Sequence, residues 1–311
     1  RGLSLIVILS LAILLVVGGL SGMAQAKAKI IIRMAHVMTP GLACDQAAHR
    51  FADLVKERTN GEIEVQVFPG GQLGSQLDNI EQLKMGSVEM VFAGDYIALR
   101  AVPEYGATQF PYLFRDIAHM RKFLAGPLGE DWRKRILERT GIRTLAYMNR
   151  GARHMTSNKP IYSVKDIQGL KMRLPDMAVL ITAWKGMGVL PTPINTNEIF
   201  SALQQGIVEA QENPFEFIYG LGLYEVQKYV ILTSHQINAY QLHISDKFFK
   251  SLSPEHQKII QEAAIEACLY GDTLTAKEEA DYRKKLEEKG MKFIGPPELD
   301  IESFREKAKQ V

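Results

Sequence analysis

The chain of 311 residues lacks the usual sequence signatures of enzymes and of nucleic-acid-binding proteins. Charged residues make up 23% of it, the formal net charge is +2, and no block of like charge appears. This balance argues against a nucleic-acid partner. No G-x-S-x-G, H-E-x-x-H, G-x-x-x-x-G-K-S/T or C-x-x-C motif occurs, and the seven histidines show no metal-ligand spacing with cysteine. We therefore predict no catalytic residues, no bound metal and no cofactor.

Cysteine is scarce, with Cys44 and Cys268 as its two occurrences. An exported protein could join such a pair in a disulfide. Each cysteine, however, lies among apolar residues on a predicted helix, with Ala48 and Phe51 near the first and Ile265 near the second. This environment favours two buried free thiols, although the sequence does not show whether the sulfurs come within bonding distance.

Long apolar runs are absent from the sequence except near the N-terminus, where residues 3–17 are almost wholly apolar. Arg1 precedes this run and Ala24-Gln25-Ala26 follows it. A basic start, an apolar run and a small-x-small site are the three parts of a secretory signal. We expect residues 1–26 to be a signal peptide, cleaved before Lys27, and the mature protein to lie in the periplasm. The alternative is an uncleaved membrane anchor, for which the run is short.

The rest of the chain alternates between strand and helix patterns. Its first part predicts strands and helices at Ile30–Ala35, Leu42–Arg58, Glu62–Phe68, a segment through Ile80 and Leu83 to Gly86, and Val88–Ala93. This order is typical of a parallel sheet with right-handed crossovers. Further helices are predicted at Ile117–Ala125 and Leu128–Thr140.

A second α/β unit begins after a strand predicted at Ile142–Met148. Its predicted elements are Gly169–Leu174, Met177–Met187, Asn197–Gln205, Val208–Gln211 and Val230–Thr233, and Ala239–Ser245 is expected to return to the first unit. We therefore predict an α/β fold with two lobes. Lobe I is expected to contain residues 27–150 plus about 236–275, and lobe II residues 151–235 plus about 276–311.

An unusually long helix is predicted to begin at Ser253-Pro254 and to run toward Leu286. Ser253 is a good N-cap and Pro254 suits the first helical position. About 35 residues at 1.5 Å each would span roughly 50 Å, so we expect one helix that crosses both lobes. The alternative is two helices broken at Gly271-Asp272.

Candidate binding residues lie at or just beyond the ends of apolar strands: His36, Asp95, Arg153, Arg173 and Asn213. In a two-lobed α/β protein such ends can converge on one cleft. Arg173 is the strongest candidate, because it lies between Met172 and Leu174 and a guanidinium in an apolar strand needs an anion. A carboxylate suits it, since the two groups pair through parallel hydrogen bonds. The alternatives are a structural ion pair and a strand with one face in water.

The other candidates each have an alternative structural role. Arg153 could be a second carboxylate or hydroxyl donor, or a surface arginine where the lobes meet. Asn213 offers a donor and an acceptor, and it could equally cap the following helix. His36 and Asp95 can also be turn residues. Tyr96 could pack flat against a ligand or belong to the core.

Four motifs occur together in this order: Phe68–Gly74 (FPGGQLG), Gly169–Pro175 (GLKMRLP), Pro191–Pro193 (PTP) and Gln211–Pro214 (QENP). Through them, residues 30–295 resemble the extracytoplasmic solute-binding proteins of tripartite ATP-independent periplasmic (TRAP) transporters, the DctP-type family. The resemblance implies a periplasmic-binding-protein-like fold whose two lobes are joined by hinge strands, with a long helix touching both. It implies a monomer that captures a carboxylate-bearing organic acid by lobe closure and delivers it to membrane permease subunits.

The resemblance also suggests roles for individual residues. Arg173 matches the arginine that anchors the carboxylate, Arg153 a second arginine that assists, and Asn213 an amide that reaches the ligand. His36 and Asp95 match positions that line the pocket, and Asp176 could accept hydrogen bonds from ligand hydroxyls. A sugar acid or another hydroxy or dicarboxylic acid is the expected ligand. Two other functions stay open: a periplasmic enzyme acting on an organic acid, and a ligand-sensing protein for a receptor.

Overall fold

The computed structural model describes residues 30–311, so the predicted signal peptide at 1–26 lies outside the described residues. Nine strands are described: β1 (Ile30–Ala35), β2 (Ile63–Phe68), β3 (Met90–Ala93), β4 (Ile142–Ser157), β5 (Lys171–Leu174), β6 (Leu190–Pro193), β7 (Ala210–Asn213), β8 (Tyr229–Ser245) and β9 (Lys292–Ile294). The α-helices of this part of the chain are α1 (Ala43–Arg58), α2 (Gln76–Met85), α3 (Tyr96–Ala101), α4 (Ile117–Ala125), α5 (Pro127–Thr140), α6 (Ala178–Met187), α7 (Ile199–Gln204), α8 (Phe215–Gly220), α9 (Asp246–Ser251), α10 (Pro254–Glu288) and α11 (Ile301–Lys309).

The strands form one sheet in the order β2-β1-β3-β8-β4-β7-β5-β6, with β9 paired to β8. At one end β1 pairs with β2 and β3 in parallel, and at the other end β5 pairs with β6 and β7 in parallel. The antiparallel pairs β3–β8, β4–β8 and β4–β7 join these two units. The predicted two-lobed α/β fold is therefore confirmed, and β4 and β8 are the strands that connect the lobes.

Two strands are longer than predicted. β4 continues past Met148 to Ser157, and β8 is one strand of 17 residues where two strands were predicted. Irregular backbone hides this continuity in the sequence: Gly151 has φ of 77° and Ser234 has φ of 43°, and the β4–β8 register shifts nearby. Each shift interrupts the alternation of side chains from which a strand is recognised.

The connecting strands contribute to hydrophobic cores at both ends of the sheet. Met148 of β4 packs in the core around α1, whereas Met155 packs in the core around α6. In β8, Leu242 belongs to the first of these cores and Ile231 to the second. The residue ranges assigned above to lobes I and II remain a prediction.

The long helix is a single element of 35 residues, as predicted. The side chain of Ser253 accepts a hydrogen bond from the backbone N–H of His256, and Pro254 begins the helix. The alternative break at Gly271-Asp272 is wrong, because Gly271 serves close packing there. A Cβ at Gly271 would clash with the Met148 sulfur and lie 3.0 Å from Cβ of Ala47. The helix thus packs closely on β4 and α1, and it also contacts α8.

Cys44 and Cys268 are both buried and free, which confirms the prediction of two thiols. Among residues 30–311, no helix combines the length and the apolar character that a membrane crossing requires.

Candidate ligand-binding cleft

A cleft with about 470 Å³ of empty space lies where the ends of β3, β5 and β7 approach the middle of β4 and β8. Three arginines line it together with five side-chain amides: Arg150, Arg153, Arg173, Gln76, Gln109, Asn213, Gln236 and Asn238. A larger groove of about 1610 Å³ runs between α10, α5 and the start of β4, but its lining includes none of the seven predicted site residues. We therefore regard the cleft as the candidate site.

Arg173 is the third residue of β5 and is only 2% exposed. Its Nε donates a hydrogen bond to the carbonyl of Ile194 at 2.8 Å, and this is the one hydrogen bond that its side chain makes to residues 30–311. Burial lowers the pKa of Arg173 to about 10, although the negative charge of Glu212 and the nearby Tyr96 oppose the shift. The guanidinium thus remains charged at neutral pH, and its two terminal nitrogens are available to a ligand.

Arg153, by contrast, is held by a carboxylate of the protein. Its Nη2 donates to Oε1 of Glu212 at 2.7 Å and to the Glu212 carbonyl at 2.8 Å, and its Nε donates to Oε2. Nε2 of His235 lies 3.0 Å from the same Oε2. Burial alone would raise the pKa of Glu212, but the charge of Arg153 and the hydrogen bond with His235 lower it to about 2. Arg153 lines the cleft as one partner of a buried ion pair.

Asn213 ends β7 and lines the cleft with its amide already bonded on both sides. Its Oδ1 accepts a hydrogen bond from Nη2 of Arg153 at 3.0 Å, and its Nδ2 donates to Oε1 of Gln211 at 2.6 Å. The predicted amide is therefore held in a fixed orientation at the cleft wall, and it connects Arg153 of β4 to Gln211 of β7.

Tyr96, the first residue of α3, also lines the cleft. Burial raises the pKa of its hydroxyl, while the charge of Arg173 opposes the shift. The hydroxyl stays protonated at neutral pH and can donate a hydrogen bond. Of the seven predicted residues, the structure thus brings four to one cleft: Tyr96, Arg153, Arg173 and Asn213.

The other three predicted residues lie away from the cleft lining, contrary to expectation. His36 is buried with its Nε2 3.2 Å from Oδ1 of Asp45. Asp95 is buried and accepts hydrogen bonds from three side chains: Tyr105 Oη at 3.1 Å, Gln109 Nε2 at 2.9 Å and Gln241 Nε2 at 2.6 Å. Asp176 is exposed. A strand-end position alone does not show which way the side chain turns, and His36 and Asp95 turn toward partners in the protein.

Arg150 is a cleft residue that the sequence reasoning passed over. Its guanidinium carbon lies 4.4 Å from the ring centre of Tyr240 and 5.5 Å from that of Phe217. In a regular strand Arg150 and Arg153 would point to opposite faces, because they are three positions apart. The register shift around Gly151 brings both to the cleft. A glycine between two arginines at this spacing was the available signal for such a bulge.

The cleft amides form a second group that the sequence did not reveal. Nε2 of Gln236 donates to Oε1 of Gln109 at 2.7 Å, so Asp95 fixes this pair through Gln109. Asn238 and Gln76 differ from that pair. Oδ1 of Asn238 and Nε2 of Gln76 are buried, and neither has a hydrogen-bond partner among residues 30–311.

Gly94 allows two of the cleft groups to approach each other. A Cβ at this position would lie 3.3 Å from Nη1 of Arg150 and 3.5 Å from Nε2 of Gln76. Any larger residue would push on both polar side chains. The absence of a side chain at the end of β3 is therefore part of the cleft's shape.

The arrangement suits a hydroxylated acid. Of the three guanidinium groups that line the cleft, Arg153 is paired with the ionised carboxylate of Glu212, whereas Arg173 bonds to no carboxylate of residues 30–311, and its charge is available to an anion. Asn238 Oδ1 needs a donor, which a carboxylate cannot supply and a hydroxyl can. Within residues 30–311, no cluster of three or more histidine, cysteine or acidic side chains could hold a metal ion.

Comparison with known proteins identifies related molecules. The family described as bacterial extracellular solute-binding protein, family 7 (DctP), matches residues 34–311. A solute-binding protein of Roseobacter denitrificans is 32% identical over 96% of this chain and 91% of its own. The 2,3-diketo-L-gulonate-binding periplasmic protein YiaO of Escherichia coli is 33% identical over 83% of this chain and 78% of its own.

Solved structures agree with these sequence matches. The TRAP periplasmic solute-binding protein of Roseobacter denitrificans with bound L-galactonate gives a TM-score of 0.87 at 32% identity, covering 92% of this chain and 94% of its own. The TRAP periplasmic solute-binding protein of Pseudomonas putida F1 with bound D-glucuronate gives a TM-score of 0.85 at 29% identity, covering 90% of this chain and 91% of its own.

Proposed function

The chain belongs to family 7 of the bacterial extracellular solute-binding proteins, and we propose that it captures a hydroxylated organic acid beside Arg173 for a TRAP transporter. The protein acts in the periplasm as a monomer, and it binds its ligand without converting it. Lobe closure around the acid creates the form that the membrane permease subunits accept. Closure requires that the ligand bind the closed state better than the open one.

The observation that carries this proposal is the state of the Arg173 side chain. It is 2% exposed, remains charged at neutral pH, and uses Nε alone for bonding to the described residues. Removing a guanidinium from water without a counter-ion is costly. A ligand carboxylate that accepts two parallel hydrogen bonds from the terminal nitrogens offsets this cost. Arg153 is already neutralised by Glu212, so we assign it to orientation of the ligand rather than to anchoring it.

The ligand class follows from the cleft amides. A plain dicarboxylate offers acceptors only, and it would leave Oδ1 of Asn238 without a donor. A sugar acid offers a carboxylate for Arg173 and hydroxyls that both donate and accept. Two of the related proteins were solved with L-galactonate and D-glucuronate, which are acids of this kind. We therefore favour sugar acids over unsubstituted dicarboxylates.

A thermal-shift screen tests this proposal, because a ligand that binds the folded form raises its apparent stability. L-galactonate and D-glucuronate represent sugar acids, hexanoate lacks the hydroxyls, and adipate replaces them with a second carboxylate. We expect a sugar acid to raise Tm and the other two acids to have little effect. A shift by adipate equal to that by the sugar acids would contradict the assigned ligand class, and no shift by any organic acid would contradict the function.

A further inference from the structure

A second, narrow cavity adjoins the cleft where α8, α10 and the middle of β4 meet. Arg150 lines both spaces, and Glu216, Glu278 and Glu279 line the second. One guanidinium of the candidate site therefore faces a ligand space on one side and a group of carboxyls on the other.

Glu216 is the most enclosed of these carboxyls. It is 5% exposed, and its Oε1 has no hydrogen-bond partner among residues 30–311. The backbone N–H groups of Ala43 and Cys44, in the first turn of α1, stabilise its ionised form. Because α1 follows β1 and Glu216 belongs to α8 after β7, this carboxyl lies between the two parallel units of the sheet.

Each element packed around Glu216 contributes ionisable groups that line the same cavity or interact with Glu216 through their charge. They are Arg150 of β4, Glu278, Glu279 and Tyr282 of α10, Cys44 of α1, and Tyr240 of β8. Burial raises the pKa of Cys44, Tyr240 and Tyr282, so those three stay neutral at physiological pH. Asp45, the next residue of α1, is ionised beside His36.

Glu216 differs from an ordinary carboxyl in the pH range where it changes charge. Burial raises the pKa of Glu216 to about 7; the positive charge of Arg150 opposes this shift and the negative charge of Glu278 adds to it. A modest change in the surrounding charge therefore changes its protonation at physiological pH.

We propose that Glu216 is a proton-linked positioning residue, whose ionised carboxylate offsets the charge of Arg150 across the second cavity and whose protonated form leaves that charge to the ligand. This role rests on the proposed function, because it requires an anion in the cleft. The negative charge of a bound acid disfavours the ionised form of Glu216, so binding takes up a proton. By linkage, affinity for the acid rises as pH falls through the neutral range.

The first test needs no ligand. Thermal unfolding of the wild type and of Glu216→Gln is followed from pH 5 to pH 8. The pKa of Glu216 is higher in the folded state than in the unfolded state. Ionisation of this carboxyl therefore lowers the stability of the wild type as pH rises from 5 to 7, and little further change follows above pH 7. We expect Tm of the variant minus Tm of the wild type to increase over that interval. Parallel profiles would overturn the proposal.

The second test measures the affinity for L-galactonate by calorimetry at pH 6 and pH 8.5, where this acid stays ionised. We expect the wild type to bind at least about threefold more tightly at pH 6. Glu216→Gln should bind equally at both pH values, and Glu279→Gln, the same change at a second carboxyl of this cavity whose pKa burial also raises, should keep most of the wild-type dependence. If the wild type binds equally at both pH values, the role of Glu216 is overturned and the proposed function still stands. Absence of binding at both pH values by L-galactonate and by every other acid of the screen would overturn the proposed function, together with the role toward the ligand.

Discussion

The carboxylate of Glu212 holds the guanidinium of Arg153 through both of its oxygens: Oε1 accepts a hydrogen bond from Nη2 at 2.7 Å, and Oε2 accepts one from Nε. This pairing distinguishes two arginines that look alike in the sequence. Arg153 has a permanent counter-ion, whereas Arg173 has a single hydrogen bond to a backbone carbonyl. The cleft thus contains one orienting arginine and one anchoring arginine.

Acid should weaken the protein through Glu212. The pKa of this carboxyl is lowered to about 2, so its stabilising effect is present above the unfolded-state pKa and is lost as pH falls toward 2. We expect the free energy of unfolding, measured with urea, to fall by about 3 kcal/mol more in the wild type than in Glu212→Gln between pH 5 and pH 2. Glu209→Gln serves as the control: the hydrogen bond from Lys159 lowers the pKa of this carboxyl too, but at the surface, so the variant should stay much closer to the wild type than Glu212→Gln does. Equal losses in wild type and Glu212→Gln would contradict the pairing.

Closure of the lobes should be sensitive to Gly106. A Cβ at this position would lie 2.7 Å from Cγ2 of Val179, so the short helix Pro103–Gln109 approaches α6 closely. Gly106→Leu should hold these elements apart and weaken L-galactonate binding about tenfold or more in calorimetry, since that requires only about 1.4 kcal/mol. Adding Val179→Ala should restore part of the affinity. If Gly106→Leu binds as tightly as the wild type, this contact does not limit closure.

Packing of the long helix should depend on Gly271. Alanine has the better helix propensity by about 1 kcal/mol, but here its Cβ would enter the space of the Met148 sulfur. We expect Gly271→Ala to lower the free energy of unfolding by about 1–3 kcal/mol, as overpacking does. In a double-mutant cycle, Met148→Ala should reduce this cost. A stabilising effect of Gly271→Ala would show that the helix can shift to make room.

Recognition of hydroxyls should depend on Asn238. Asn238 lines the cleft, and its buried Oδ1 lacks a partner among residues 30–311. Asn238→Ala should weaken L-galactonate binding about 5- to 30-fold, because a buried hydrogen bond to the ligand is worth about 1–2 kcal/mol. Weak binding of hexanoate, measured by calorimetric competition, should not change. Equal weakening of both acids would indicate a general loss of cleft shape instead.

The sequence was most informative where local rules and tertiary structure agree. The parallel units and α10 were predicted because their apolar periodicity is regular and Ser253-Pro254 begins the helix clearly. The continuity of β4 and β8 was missed because bulges break the alternation there. Gly271 looked like a possible break, although its role is close packing that only the structure shows.

Only part of the cleft was predicted, because strand order determines the positions of some of its residues and tertiary packing those of the others. Arg173 lies one residue before the end of β5 and Asn213 ends β7, and these strands are neighbours in the sheet, so their convergence follows from topology. His36 and Asp95 follow strand ends as well, but away from the cleft lining. His36 lies beside Asp45, and Asp95 accepts a hydrogen bond from Gln241. The amides of Gln109 and Gln236 come from segments that are distant in sequence. Their pairing depends on tertiary packing and leaves no local pattern.

Ligand binding depends above all on the anchor arginine, so calorimetry of Arg173 variants with L-galactonate, or with the best acid from the screen, is the decisive measurement. Arg173→Ala should weaken binding at least about tenfold, and Arg173→Lys should remain weak because an ammonium group cannot form the two parallel bonds. Arg100→Ala, the same change at an exposed position of α3, should bind like the wild type. Unchanged affinity in Arg173→Ala would contradict the central claim.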